Sequence, residues 1–253
     1  MTTAAFPAHG FTLLELALAL TVIGVLAWLG AATFANLTPV ADRATALAHG
    51  EEVRSHMRAF ALSHGRLPCP DRSEDGLEDL DEGQCPVNQS TGWLPYVSLN
   101  MPQPAPELRA YYGVFRAADD GEPATDADLA RAIRRQPGSG PVASGDLVRA
   151  LLNGQRLAPD PAQGALLTGT GRNDDALDCS ENPVRHVAWF AVVPLQDRNG
   201  SGNRLDSVHD VDGFPDCAFS PATPPASDRD DVVIAETFSG LAGWLQQHAA
   251  TRP

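Results

Sequence analysis

Hydrophobic and polar positions divide this chain into three stretches of different period. Residues 16–35 (LALALTVIGVLAWLGAATFA) hold no charge, and no polar residue except two threonines. At a rise of 1.5 Å per residue, twenty such positions cover a hydrocarbon core about 30 Å thick. Beyond Pro39 the pattern changes. Val53, Met57, Phe60 and Ala61 recur at i, i+4, i+7 and i+8, while Glu51, Glu52, Arg54, Ser55 and Arg58 fill the opposite face. That is the period of an amphipathic helix. Gly65 and Pro68 then supply a stop. Residues 11–64 therefore read as one long helix, apolar all round in its first half and two-faced in its second, with Pro39 as a candidate kink.

The third stretch, 66–253, mixes shorter signals. Residues 110–117, 186–195 and 232–238 are rich in aromatic and β-branched side chains and read as strands. Thr125 with Asp128 has the form of a capping box, opening a short helix through Ile133. Ser144 is placed to cap a helix through Leu152, and Ser239 a final one carrying Leu241, Trp244 and Leu245. Met57, Phe60, Trp93 and Trp189 read as core. Long runs of Gly, Pro, Asp and Asn separate these elements, and no internal repeat is present. The expected fold is α+β: a long N-terminal helix, membrane half plus amphipathic half, packed on an antiparallel sheet head with long loops.

One residue does not fit the apolar helix. Glu15 sits immediately before the uncharged run, where an ionisable group is expensive and usually has a partner and a task. Gly10 and Phe11 point to the partner. A cut between them gives Phe11 a new, positively charged amine, able to neutralise Glu15 of a neighbouring copy. Gly10, Phe11-Thr12-Leu13-Leu14-Glu15 and the apolar run together resemble the type IV pilin family, which includes the pseudopilins of type II secretion. Two other readings explain less. A secretory signal peptide wants a basic first region and a shorter apolar one, yet the first ten residues hold no Lys or Arg. An ordinary single-span anchor gives no reason for Glu15 or for Gly10-Phe11. A second block resembles a subset of pilin-like proteins: His64-Gly65-Arg66-Leu67-Pro68-Cys69-Pro70-Asp71, Asp75-Gly76-Leu77-Glu78, Cys85, Gly92-Trp93-Leu94-Pro95-Tyr96 and Asp230-Asp231-Val232-Val233. The aspartate-aromatic-glycine turn expected after Trp93 is replaced by MPQPAPELRAYY at 101–112.

The resemblance implies a leader at 1–10, a transmembrane and filament-core helix at 11–37, an amphipathic continuation at 38–65 and a periplasmic head at 66–253. It implies cleavage after Gly10 by a prepilin peptidase and N-methylation of Phe11. Residence in the inner membrane as a single-pass protein would be followed by assembly with other pilins or pseudopilins through Phe11 and Glu15. The expected function is structural, a minor subunit of a pilus or secretion pseudopilus, and not enzymatic. The alternative is a membrane-anchored periplasmic binding module, with calcium as its candidate ligand.

Composition narrows the chemistry. Net charge is −14, and all 18 basic residues are Arg. An acidic surface disfavours nucleic acid, and the absence of Lys excludes a P-loop lysine, a Schiff base and a Ser-x-x-Lys site. Seven histidines (9, 49, 56, 64, 186, 209 and 248) form no metal-binding spacing. Four cysteines, Cys69, Cys85, Cys179 and Cys217, form no Cys-x-x-Cys pair. In an oxidising compartment they are expected as disulfides, and of three connectivities the shorter loops favour Cys69–Cys85 with Cys179–Cys217.

No cofactor is demanded, but two acidic segments are candidate calcium loops. Residues 71–82 carry seven carboxylates in twelve positions. Asp197, Asn199, Ser201, Asn203 and Asp206, trailed by Asp210 and Asp212, begin like an EF-hand with oxygens at positions 1, 3 and 5 and Gly202 at 6. Position 12 is Val208, so a complete EF-hand is excluded. A turn whose side chains bond their own backbone is the competing reading.

Overall fold

The computed structural model describes residues 13–118, 124–131, 144–172, 176–210 and 216–249, with the side chains of 28–41, 144 and 249 outside the description. The chain divides into two compact units, residues 1–44 and 45–253. Helix α1 is assigned over Leu13–His64, through Pro39. In the first unit its large apolar side chains from Leu13 to Leu26 are 51–87 % exposed. Besides Glu15 the stretch has one polar side chain, Thr21, whose hydroxyl donates to the carbonyls of Ala17 and Leu18. The one hydroxyl on this stretch is thus satisfied within the helix itself.

In the second unit α1 turns amphipathic, as its sequence period demands. Val53, Met57 and Ala61 are fully buried and Phe60 nearly so. They enter one core with a four-stranded antiparallel sheet in the order β1 (Thr91–Trp93), β2 (Tyr111–Val114), β5 (Trp189–Val193), β7 (Val232–Glu236). Every residue of β5 is buried, which explains why Trp189 to Val193 is a continuous apolar run rather than an alternating one. Helices α2 (Ser144–Gly154) and α3 (Phe238–Ala249) pack on each other, and Phe115 meets Phe238 edge to face at 4.9 Å beside Gly154.

A second sheet was not expected. It has the order β4 (Pro183–His186), β3 (Leu166–Thr168), β6 (Cys217–Phe219), and β3 runs parallel to β6. The single strand expected over 186–195 is therefore two. His186 pairs with Leu166 in the second sheet, and Trp189 pairs with Val114 and Glu236 in the first. Between them, Val187 and Ala188 donate to Ala165 and Glu236 respectively. A continuous run of apolar residues crosses from one sheet to the other, and periodicity alone cannot mark the crossing.

Two helix starts also differ from expectation. Thr125 and Asp128 open no helix over the described residues 124–131, and Ile133 lies outside them. Asp128 is instead buried against Arg116, with Nε to Oδ1 at 2.9 Å and Nη2 to Oδ2 at 2.6 Å. A buried guanidinium needs that bidentate partner more than a short helix needs its cap. The same Arg116 donates to the carbonyls of Pro86 and Gln89. It thereby pins the loop closed by the Cys69–Cys85 disulfide. The final helix begins at Phe238, and its cap is Thr237, whose hydroxyl accepts from Gly240 N at 3.1 Å; the strand expected to reach 238 ends at Glu236.

Gly50 sets how closely α1 approaches β7. A Cβ there would lie 2.3 Å from Ile234 Cγ1. Helix propensity favours Gly50→Ala by about 1 kcal/mol, whereas overpacking a filled contact costs about 1–3 kcal/mol. Gly50→Ala is expected to lower the melting temperature of the purified protein. A rise would show that Ile234 swings aside freely.

Candidate functional site

Two places carry residues that the sequence singles out. The first is the start of α1. Gly10 and Phe11 lie outside the described residues. Glu15 occupies the first turn, exposed, on a helix whose neighbouring Leu13, Leu14, Leu16 and Leu18 are all exposed. An apolar stripe on one side would mark a docking face; apolar exposure on every side marks a helix made for an apolar surround. Among the described residues no helix is long and apolar enough to cross a membrane. Described apolar side chains run over 13–27, about 22 Å of helix, and the rest of the 16–35 run falls on side chains outside the description.

The second place is the acidic end of the head. The Asp197–Asn203 loop closes on itself. Asp197 Oδ1 accepts from Gly200 N and Ser201 N, and Oδ2 accepts from Gly202 N. Asn199 Oδ1 also takes Ser201 N, and the Asn199 and Asn203 amides donate to Asp210. Asp212 lies outside the described residues. Asp206 leaves this group. The turn after it, Ser207–His209, carries it inward to the head of β7, where its carboxylate lies with those of Asp230 and Asp231, one oxygen from each within 4.8 Å of the others. All three are buried. This is the one such three-carboxylate cluster among the described residues.

Backbone donors hold the cluster. Arg198 N and Asp230 N donate to Asp206, Asp206 N donates to Asp231 Oδ2, and Gln196 N donates to Asp230 Oδ1. Arg198 Nε reaches Asp230 Oδ2 at 2.6 Å. His209 Nδ1 lies 2.8 Å from Asp231 Oδ2, both side chains fully buried, while Nε2 accepts from Phe219 N. The ring's N–H is thus on Nδ1, donating to the carboxylate. Asp231 Oδ1 is buried without a hydrogen-bond partner, a state that costs about 1–3 kcal/mol or more for a charged group. Burial pushes the Asp231 carboxyl above its ordinary value, and burial with the neighbouring Asp231 charge does the same for Asp206.

The sequence pattern put Asp206 in a loop set with Asp197, and Asp230-Asp231 in the closing block that resembles the pilin-like subset. The available signal was two adjacent acids directly before the buried run Val232–Ile234, where only partnered acids are tolerated. His209 gave none, since its partner is 22 residues away.

The other acidic segment, 71–82, forms no such cluster. Asp71 is buried and accepts from Ser73, Glu74 and Gly76; Glu78 pairs with Arg66 and takes Cys69 N. Its acids brace the disulfide loop. A cleft of about 300 Å³ lies between Gln155, Leu157, Arg185, His186 and Thr237. His186 offers it no free nitrogen. Asp160 N donates to Nε2 at 2.8 Å, and Nδ1 lies 3.2 Å from the Gly164 carbonyl, which can only accept. The second disulfide, Cys179–Cys217, ties the preceding loop to β6.

Residues 7–31 match the family described as the prokaryotic N-terminal methylation motif. The match spans Gly10, Phe11 and Glu15, and supports a precursor of the type IV pilin or pseudopilin kind. That kind of protein is structural, processed by a prepilin peptidase and assembled with other pilins. No curated protein and no solved structure matches the chain.

His186 gives a pH test. Burial lowers its pKa from the ordinary 6.5, so below that value the unfolded chain binds the proton more readily than the folded one. Stability from this group is complete above 6.5 and is lost as pH falls beneath it. Gln at this position keeps an acceptor for Asp160 N and a donor for Gly164 but takes no proton. His186→Gln is expected to flatten the decline in stability between about pH 7 and pH 5, by at most about 1.4 kcal/mol per pH unit. An unchanged slope in thermal melts would contradict the neutral assignment.

Proposed function

We propose that this chain is a structural subunit of a type IV pilus or type II secretion pseudopilus, cut after Gly10 and methylated on Phe11. It waits in the inner membrane as a single-pass protein with its head in the periplasm, then assembles through its N-terminal helix. The observation that carries this reading is the methylation-motif match over 7–31, continuous with a helix that exposes apolar side chains on all sides from Leu13 to Leu26. Glu15 is assigned the register contact, pairing with the new amine of Phe11 on the next subunit. In an apolar filament core either charge alone would be costly, so the pair favours one axial offset over all others. Two disulfides in the head agree with an oxidising compartment. The large head, with long loops and the Leu67-Pro68-Cys69-Pro70-Asp71 block of the pilin-like subset, favours a low-copy minor subunit over a bulk one.

Mass spectrometry of the mature protein should find an N-terminus at methylated Phe11. Glu15→Gln should reduce recovery in sheared filaments by about tenfold or more, since about 1.4 kcal/mol already gives tenfold and an unpaired buried charge costs about 3–5 kcal/mol. The head should fold unchanged in that variant. A mature chain that keeps its first ten residues, or normal recovery of Glu15→Gln, would remove the proposal.

A further inference from the structure

We infer that the cleft beside the outer edge of β4 binds an extended acidic peptide segment of a partner protein, with Arg156 and Arg185 as its charge contacts. Charge points to the ligand first. Among the described arginines of the 45–253 unit, Arg156 and Arg185 are the two whose guanidinium groups have no hydrogen bond or ion pair. The others have partners, such as Asp146 for Arg149 on α2 and the Leu195 carbonyl for Arg204. In a chain of net charge −14 carboxylates are plentiful, yet neither of these two takes one. Both arginines are exposed. Arg185 lines the cleft, and Arg156 stands between its lining residues Gln155 and Leu157. The acids beside it in sequence are engaged elsewhere: Glu236 by Arg54 and Arg58, and Asp160 Oδ1 by Ala162 N.

Backbone direction decides what form the anion takes. β4 is an edge strand of the second sheet. Val187 N donates to Ala165 O, so the alternation of an antiparallel pair turns the N–H and C=O of His186 away from β3. The next residue on that side, Ala188, donates to Glu236 O. The open edge therefore faces Thr237–Ser239, the far wall of the cleft. A peptide entering there finds backbone to pair with, the mode by which a sheet accepts an added strand. Exposed Leu157 and Val184 line the same cleft and give an apolar side chain a place beside the acid. A volume of about 300 Å³ is at the small end of ligand clefts and suits a short segment. A simple anion would use the arginines but leave the open edge and the apolar walls idle.

The inference does not rest on the assembly role, because the cleft lies wholly in the 45–253 unit and its test uses no filament. The probe is a fluorescein-labelled peptide, Thr-Val-Glu-Val-Thr, capped at both ends and titrated against the full mature chain in detergent by fluorescence anisotropy. One peptide per chain is expected to bind, more weakly as salt rises. The same peptide with Gln for Glu should bind about tenfold more weakly or worse, the loss expected for a charge-assisted hydrogen bond. Arg185→Gln and Arg156→Gln should each weaken the Glu peptide by a similar factor and leave the melting temperature unchanged, since neither side chain holds anything in the fold. Arg149→Gln should bind as the wild type does. No binding by the wild-type chain at millimolar peptide overturns the site. Wild-type affinity in both the Arg156 and the Arg185 variant overturns its location. Equal binding of a peptide with N-methylated valines overturns strand addition. Displacement by succinate at the same concentration as by unlabelled peptide overturns the peptide as the ligand.

Discussion

The ion pairs at the C-terminal end of β7 decide how the globular unit is built. Glu236 is buried, and two arginines one helical turn apart on α1 reach it: Arg58 Nη2 lies 2.8 Å from Oε1 and Arg54 Nε 3.1 Å from Oε2. Arg54 also donates to the Ala235 carbonyl, and Arg58 stacks over Trp244 of α3. One carboxylate thereby fixes the rotation of the amphipathic helix, its height along the strand and the position of the last helix. Removing it would take from both arginines the one buried carboxylate they share, leaving Arg54 with Glu51 and the Ala235 carbonyl and Arg58 with the Trp244 ring. The close contact of Gly50 with Ile234 is possible because this clamp and the apolar face of Val53, Met57 and Ala61 agree on one docking geometry.

The other end of β7 uses the same device. Asp230 and Asp231 hold the 196–210 segment through backbone N–H groups, Arg198 and His209. A five-residue strand thus carries acids at both ends, with Val232, Val233 and Ile234 buried between. The apolar centre supplies burial, and the acids supply position. Arg116 with Asp128 repeats the pattern at the disulfide loop. A head rich in loops has little regular hydrogen bonding to define it, so partnered charges and the two disulfides take that part.

Function divides between the units. The head presents acidic, internally satisfied loops, and the two buried histidines, His186 and His209, have both ring nitrogens engaged. The helix of the first unit is the reverse: its described apolar side chains from Leu13 to Leu26 are outward, and the Thr21 hydroxyl is satisfied by its own backbone. The methylation-motif match over 7–31 falls on this exposed apolar stretch and supports a precursor of the type IV pilin or pseudopilin kind.

Local chemistry is what the sequence determined unaided. The 3.6-residue period gave the buried face Val53–Met57–Phe60–Ala61, short loop closure gave the cysteine pairing, and Gly10-Phe11 with Glu15 pointed to processing and assembly. Each of these depends on residues within a few turns of one another or on a signal read by another protein. Tertiary structure decided the rest. It split the run 186–195 between two sheets, took Asp128 from a helix cap to Arg116, and moved Asp206 from its loop to Asp230 and Asp231. These depend on pairings 12 to 25 residues or more apart, where a charge goes to whichever opposite group the packed core brings near, and no local pattern encodes that choice.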